Sequence, residues 1–326
     1  MNKLHEKSPC CQAKIYKIGG KRKRCSECKK TWTNWKKKRG RKARRPDKKL
    51  VTDILVNGER ASHIVRHKSN VSQQTISQRL KKAMPLCQRT IPYPSGWLIV
   101  IADAIWFSFK KKRWTLYIIS IRSVTGGRAH YLEPMLLPGR ETGTGWRELM
   151  RSIPEEIDNR ILALVSDGFR GLQQIAKERK WVHQLCHFHL LQQLQIQLGS
   201  WKKLPDQPIR KEIYQVVCQL LVTIDHESEY SLKLYELINQ PKCPRRYYMI
   251  CNEMLRRIRN FRAYIDHQEL HLPHTTGCLE STNNIVRDRC KYLRTPESLK
   301  LRATTLLRAR QTVQCNHKKL TNFTHN

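Results

Sequence analysis

The sequence predicts a mixed α/β protein in which a sheet domain follows a small helical front end and carries a helical insertion. Three observations support this class. Apolar and β-branched runs alternate with short turns over residues 97–137, and helix and strand patterns alternate from there to residue 188. Leu, Ile and Val then recur at three-to-four spacing from about 190 to 272. The predicted segments are 1–35, 36–49, 50–88 and 97–312, with 313–326 as a tail.

The composition restricts the classes of function. The chain has 326 residues, with 63 Lys plus Arg against 26 Asp plus Glu and a net charge of +37, which is typical of proteins that bind a polyanion, nucleic acid first. The longest apolar run, WLIVIADAIWF, is too short to cross a membrane, so no membrane partner is predicted. No charged-then-apolar leader opens the chain. The twelve cysteines are therefore expected as reduced thiols or metal ligands, in a cytoplasmic, nucleoid-associated protein.

Residues 1–35 carry a cysteine pattern that predicts a zinc-ribbon-like module. Cys25 and Cys28 have the C-x-x-C spacing that points two thiolates at one tetrahedral ion, and Cys10 and Cys11 complete the set although they are adjacent. His5 could replace Cys10 as a ligand. The alternative to a metal site is that all four cysteines are unligated thiols. A segment this short folds poorly without a metal, so structural Zn²⁺ is expected here.

Residues 36–49, KKKRGRKARRPDKK from residue 36, form a predicted basic linker. Its Arg39-Gly40-Arg41 core is typical of an arm that enters the DNA minor groove, because arginine is attracted by the high negative potential of a narrow groove. A solvated charged run is the alternative.

The pattern of apolar residues over 50–88 predicts short helices that together form a helix-turn-helix. In the third helix, within NVSQQTISQRLKK, Ser72 is the expected N-cap and Ile76 and Leu80 face inward. The outward face carries side chains suited to base edges in the major groove, namely Gln73, Gln74, Gln78 and Arg79. A plain helical hairpin is the alternative.

The sheet domain, residues 97–312, has an order of elements that predicts the ribonuclease H-like fold. WLIVIADAIWFSF, RWTLYIISIRSV and RAHYLEPMLL should pair as an antiparallel meander. GTGWRELMRSI (helix), ILALVS (strand), FRGLQQIAKER (helix) and WVHQLCHF (strand) follow, giving β-β-β-α-β-α-β. In this fold the first and fourth strands are neighbours, so Asp103 and Asp167 are expected to come together.

Two adjacent carboxylates favour a cation between them, and Mg²⁺ or Mn²⁺ prefers oxygen ligands. A third carboxylate would let the site hold two ions for phosphoryl transfer. The best candidate is Glu280, in the first turn of a predicted helix, with Asn284 and Arg287 on the same face at i+4 and i+7. The alternative to a metal ligand is that Glu280 only stabilises the helix through its interaction with the helix dipole. The rival acids are Asp266, Glu269 and Asp288.

Four blocks, IADAIWF, VSDGFRGL, WVHQLCHFHLL and PHTTGCLESTNNIVR, resemble in order and spacing those of mutator-type DDE transposases of bacterial and archaeal insertion sequences. The resemblance covers about residues 97–312 and implies that Asp103, Asp167 and Glu280 are the catalytic, Mg²⁺-binding triad. It also implies that Cys186 and His189 support the site as a C-x-x-H pair after the last strand. His183 and His187 are rival ligands or core histidines. The adjacent Cys10-Cys11 pair and the short length of the chain depart from the family pattern, and the insertion is compact.

The resemblance implies a transposase that binds the terminal inverted repeats of its own element. Such an enzyme cuts DNA by metal-activated water and joins the freed 3′-OH to target DNA. Its partners would be double-stranded DNA and, by analogy, further copies of the chain on paired ends. Two alternatives stay open: a non-enzymatic DNA-binding regulator derived from a transposase, and a structure-specific nuclease on the same fold.

Overall fold

A computed structural model describes residues 7–19, 22–33, 47–68, 71–89, 91–198 and 207–314. The chain divides into two compact units, 1–46 and 47–326. His5, the arm residues Arg39 and Arg41, and the tail from residue 315 lie outside the described residues. The domain boundaries predicted inside the second unit stay predictions.

The first unit contains a small antiparallel sheet. Its strands are β1 (Ile15–Lys17), β2 (Arg22–Cys25) and β3 (Thr31–Thr33). β2 lies in the middle, paired with both neighbours. The turn between β2 and β3 closes where the Cys25 N–H donates to the Lys30 carbonyl at 2.9 Å. This turn carries the C-x-x-C pair.

The second unit is built on one mixed sheet, which confirms the predicted α/β class. Its described strands are β4 (Leu98–Phe109), β5 (Lys112–Ser123), β6 (Gly126–Tyr131), β7 (Met135–Pro138), β8 (Ile161–Ser166), β9 (Val182–Leu185) and β10 (Thr312–Gln314). They lie in the order β10-β6-β5-β4-β8-β9, with β7 paired to β5. The pairs β4–β8 and β8–β9 are parallel and the others antiparallel.

The predicted meander forms, but its third segment differs from the expectation. Lys110 and Lys111, with φ of 48° and 64°, make the tight turn between β4 and β5. The segment RAHYLEPMLL gives two strands rather than one, since β6 and β7 pair with successive parts of β5. Pro134 lies in the interruption, and it has no N–H to donate to the ladder.

Thirteen α-helices occur among the described residues. They are α1 (Lys48–Val51), α2 (Ala61–Lys68), α3 (Gln73–Ala83), α4 (Gly143–Arg151), α5 (Glu155–Asp158), α6 (Arg170–Glu178), α7 (His187–Leu198), α8 (Gln207–Val222), α9 (Glu227–Ile238), α10 (Arg245–Arg256), α11 (Ile258–Asp266), α12 (Gly277–Cys290) and α13 (Pro296–Arg310). A π-helical turn, Thr52–Val56, continues α1, and 3-10 turns cover Met84–Leu86 and Gln268–Leu270. None of the described helices is long and apolar enough to span a membrane.

Three buried clusters order these elements. One sheet face packs against α4 and α6, around residues such as Trp146 and Leu172. The other face shares a core with α12, α13 and the front helices, in which Leu279 and Ile76 both belong to the same cluster. Helices α7 to α11 have a core of their own. They occupy the stretch predicted as a helical insertion at about 190–272, and the first of them begins at His187.

Candidate active site

The register of the two central parallel strands sets the position of the first two carboxylates. Ile101 of β4 pairs with Val165 of β8. Asp103 and Asp167 each follow two residues later, so both lie at the same level at this end of the sheet. Asp103 is buried, at 6 % exposure, whereas Asp167 is half-buried beyond the end of β8. One oxygen of Asp167, Oδ1, accepts the Phe169 N–H at 3.0 Å, which fixes the turn into α6.

Helix α12 brings the third carboxylate to Asp103. Carboxylate oxygens of Asp103 and Glu280 and a ring nitrogen of His189 all lie within 4.8 Å of one another. Asp167 is not a member of this group, although its charge acts on both Asp103 and His189. Two carboxylates and an imidazole at this spacing form a donor set that fits a divalent cation.

The predicted face of α12 has the expected geometry. Arg287 Nη1 donates to Glu280 Oε1 at 3.4 Å and to Asn284 Oδ1 at 3.1 Å. The three rival acids lie outside the metal-compatible group: Asp266 is exposed, Glu269 pairs with His267 at 3.4 Å, and Asp288 pairs with Lys291 at 2.9 Å.

Asn283 is a site residue that sequence reasoning missed. It is fully buried, and its Nδ2 donates to Asp103 Oδ2 at 2.6 Å. The Ala104 N–H donates to the other oxygen, Oδ1, at 2.8 Å. Among the described residues, Asn283 Oδ1 has no hydrogen-bond partner. Asn283 therefore orients Asp103 and leaves an acceptor beside it.

Burial and mutual repulsion govern the charges at the site. Burial raises the pKa of Asp103 to about 7; Asp167 and Glu280 add to the rise, and His189 opposes it. Burial alone would lower the pKa of His189, but its hydrogen bond to Cys186 and the charges of Cys186, Asp103 and Asp167 together raise it to about 9. In the metal-free protein the His189 imidazolium thus faces the carboxylates. A metal ion bound there would replace the His189 proton and relieve the cost of ionising Asp103.

The C-x-x-H pair lies where β9 meets α7. Cys186 is buried, and its Sγ accepts the Thr276 N–H at 3.2 Å and the Thr276 hydroxyl at 3.3 Å. Because Thr276 directly precedes α12, this contact joins the starts of the helices that carry His189 and Glu280. The pair therefore fixes two members of the metal-compatible group relative to each other.

The other two histidines are buried core residues. His183 Nε2 lies 2.9 Å from the Ser166 hydroxyl, and His187 Nε2 lies 2.6 Å from the Phe261 carbonyl. Burial lowers the pKa of His183 to about 4 and that of His187 to about 3. Neither belongs to the metal-compatible group.

A fourth carboxylate near the site, Glu141, also escaped the sequence reasoning. It lies in the loop between β7 and α4, and its Oε1 accepts the Trp146 indole N–H at 2.6 Å. Burial raises the pKa of Glu141 to about 7, and the charge of Asp167 adds to the rise. No periodicity or spacing in the sequence marks this residue.

The first unit brings its four predicted cysteines together. The Sγ atoms of Cys10, Cys11, Cys25 and Cys28 all lie within 4.8 Å of one another. Hydrogen bonding to Cys28 is the main cause that raises the pKa of Cys11 to about 12. The Ser8 hydroxyl, which the sequence reasoning overlooked, accepts the Cys25 S–H at 3.3 Å. Hydrogen bonding to Ser8 is the main cause that lowers the pKa of Cys25 to about 6. Four sulfur atoms at this spacing can hold one tetrahedral ion.

Helix α3 has the predicted cap and faces. Ser72 accepts the Thr75 N–H at 3.2 Å, which confirms the N-cap, and Ile76 and Leu80 are buried. On the outer face Arg79 is half-buried, while the three amides, Gln73, Gln74 and Gln78, are exposed. These side chains are therefore open to a ligand.

Comparisons with known proteins add little. No family model and no curated protein matches the chain. Among solved structures, the chain is similar to a cryo-EM structure of the simian T-cell lymphotropic virus intasome in complex with the PP2A regulatory subunit B56 gamma. That match has 10 % identity and a TM-score of 0.22, and it covers 60 % of this chain and 74 % of the other. A TM-score this low carries no argument about this chain.

Proposed function

We propose that the chain is a DDE transposase of the mutator type, with a ribonuclease H-like catalytic domain that cleaves and joins DNA. The observation that carries the proposal is the convergence of Asp103, Glu280 and His189, with Asp167 level with Asp103 on the adjacent parallel strand. The sheet order β6-β5-β4-β8-β9, in which the first strand of the domain, β4, lies beside and parallel to β8, supports the assignment of the fold.

Each carboxylate has a role in this proposal, including Asp167, which is outside the metal-compatible group but level with Asp103 on the adjacent strand. Asp103, Asp167 and Glu280 would hold Mg²⁺ or Mn²⁺, which supplies Lewis-acid activation of the attacking oxygen and stabilises the leaving oxygen in phosphoryl transfer. Asn283 keeps Asp103 in one rotamer through its bond to Oδ2. Arg287 lies against Glu280 at 3.4 Å and is exposed, so it can also meet a phosphate of the DNA.

DNA recognition is assigned to the front end and the surface charge. In this proposal the four-cysteine group holds structural Zn²⁺, and α3 with the two helices before it acts as the helix-turn-helix. The arm at Arg39 and Arg41 binds phosphates and the minor groove, while Gln73, Gln74, Gln78 and Arg79 read bases. The net charge of +37 would hold the terminal inverted repeats and the target DNA, with further copies of the chain on paired ends.

The first test is cleavage of duplexes taken from the DNA that borders the gene, with Mg²⁺ present. The variants Asp167→Asn and Glu280→Gln should abolish cleavage while binding to the same duplex stays within about two-fold, since recognition belongs to the front end. The matched control is Glu269→Gln, a similar change in an exposed acid outside the metal-compatible group, which should cleave like the parent. Cleavage by either site variant within a few-fold of the parent would show that residue's assignment to be wrong.

The same assay separates the two alternatives. A DNA-binding regulator would bind the duplexes but leave them intact in every variant. A structure-specific nuclease would cut but would never join a freed 3′-OH to a second duplex. Joined products from the parent, absent in Glu280→Gln, would therefore support transposition over both.

A further inference from the structure

A continuous groove leads away from the carboxylate site between α7 and α10. It consists of two adjoining cavities of about 580 Å³ and 560 Å³, and both are lined by Gln193, Met249, Ile250 and Glu253. Asp167, Cys186 and His189 line the near cavity, so the groove opens directly onto the site. Arg245 and Arg246 line the far cavity.

The walls of the groove carry large apolar side chains that face water. Helix α10 buries Tyr247, Cys251 and Met254 in the core of the insertion, which turns the following residues outward. Tyr248 is 39 % exposed and Met249 is 60 % exposed, and Ile196 of α7, opposite them, is 68 % exposed. Exposed apolar side chains gathered in one groove are typical of a binding surface.

Basic residues flank these apolar side chains at both ends. Arg170, Arg256 and Arg257 line the end near Asp167, and Arg245 and Arg246 line the far end. Arg257 Nη1 donates to the Gly168 carbonyl at 3.2 Å, next to Asp167. Within the described part of the chain, the buried Nε and Nη2 of Arg257 have no hydrogen-bond partner. The stretch between the two basic ends also contains one acid, Glu253, whose Oε1 lies 3.7 Å from Arg257 Nη1. Positive charge at both ends, with exposed apolar side chains between them, suits a ligand whose phosphates alternate with flat apolar groups.

We propose that this groove binds an unpaired DNA strand that continues from the cleavage site. The inference rests on the proposed DNA-cleaving function. In a duplex the phosphates face outward and the bases are stacked inside, so Tyr248, Met249 and Ile196 would gain no partner. Bases of a single strand can stack on such side chains while arginines bind the backbone, which is how single strands are held without sequence preference. The occupant is therefore an unpaired strand rather than duplex.

The test compares two labelled duplexes of random sequence, one blunt and one with a single-stranded extension of about ten nucleotides, within the site sizes known for single-strand grooves. Both bind the full-length protein through its charge, and neither needs to be cleaved. The groove variants are Tyr248→Ala with Met249→Ala, and Arg245→Ala with Arg246→Ala. The matched controls are Tyr235→Ala with Leu232→Ala, whose side chains are 58 % and 60 % exposed on α9, and Lys242→Ala with Arg259→Ala, which are exposed and do not line the groove.

The parent should bind the extended duplex about five-fold more tightly or better, the gain from one base–aromatic stack. Both groove variants should lose this preference, and both controls should keep it, with unchanged melting temperatures. A parent without the preference, or equal losses in groove and control variants, would overturn the proposal. A parent that cleaves end DNA normally but shows no preference for the extended duplex refutes the groove only. If the parent prefers the extended duplex and the groove variants do not, but the parent cleaves no DNA, the proposed enzymatic activity is refuted and the groove proposal stands.

Discussion

Replacing Asp103 by Asn should make the metal-free protein more stable at neutral pH. Asp103 is 6 % exposed, and its pKa is raised from 3.8 to about 7 mainly by burial. A carboxyl with a raised folded-state pKa contributes stability that is fully present below the unfolded pKa and is lost as the pH rises through the folded pKa. The ionisation of Asp103 should therefore destabilise the fold progressively from about pH 4 to pH 7.

The size of the effect follows from the pKa difference. A shift from 3.8 to about 7 corresponds to about 4 kcal/mol of destabilisation above pH 7. The variant loses little hydrogen bonding, because the Asn283 amide can turn its unpartnered Oδ1 toward the new amide. It does remove one of the charges that raise the pKa of His189, which offsets part of the gain. For a unit of this size, with an unfolding entropy of about 0.6 kcal/mol/K, the remaining gain gives a Tm rise of up to about 7 °C.

The assay is thermal unfolding of parent and Asp103→Asn at about pH 4.5 and 7.5 in chelator, then at pH 7.5 with Mg²⁺. The difference between the two proteins should be small at the acid pH and large at neutral pH. Mg²⁺ should raise the Tm of the parent more than that of the variant, because only the parent offers the full donor set. Asp266→Asn, a change in an exposed acid, is the control and should show no pH-dependent difference. An equal gain at both pH values would refute the charge-burial argument.

Three further outcomes are expected. Asn283→Leu should raise the Mg²⁺ concentration needed for half-maximal cleavage by about 10- to 100-fold, since the partner that orients Asp103 is lost; an unchanged requirement would contradict this. Cys25→Ser with Cys28→Ser should unfold residues 1–35 and remove about one zinc per chain, as metal analysis and circular dichroism of the isolated segment can show; a folded, metal-free segment would defeat the idea. Gln78→Ala should cost about 1–3 kcal/mol on the cognate end and little on random DNA, whereas Arg39→Ala with Arg41→Ala should weaken all binding and flatten its salt dependence. Binding curves at several salt concentrations check this: if the arm variant lost only specific binding and Gln78→Ala weakened binding to all DNA, the two roles would be reversed.

The sequence could predict the central strands because their apolar runs are long and their turns are marked. The strands β4, β5 and β8 begin and end within one residue of their predicted bounds. The edge strand β10 has three residues, too few for a period-two pattern to appear, and its partner β6 lies far away in the chain. Its formation depends on tertiary pairing that no local pattern encodes.

Site residues that lie at the ends of strands could be predicted from the sequence, whereas those that depend on which face of a helix is buried were harder to predict. Asp103 and Asp167 could be found because parallel neighbours place their ends together. Asn283 could have been found from one signal: it interrupts the apolar stripe of α12, which runs through Leu279 and Val286 at three-to-four spacing. A buried amide on such a stripe must find a polar partner, and only the packed structure shows that the partner is Asp103.

Helix α11 is attached to strand β9, next to the strand end that is followed by Asp167. This attachment determines where the proposed groove lies relative to the carboxylates. Gln184 of β9 is fully buried; its Nε2 donates to the Phe261 carbonyl at 2.9 Å and its Oε1 accepts the Tyr264 N–H at 2.8 Å. The Asn260 amide donates to the His183 carbonyl at 3.2 Å. Helix α11 is thus bound to β9 through polar contacts that are buried or partly buried and therefore costly to break. Because α10 leads directly into α11, the apolar wall of the groove is held at a fixed distance from Asp167, so a strand seated there would reach the carboxylates in one register.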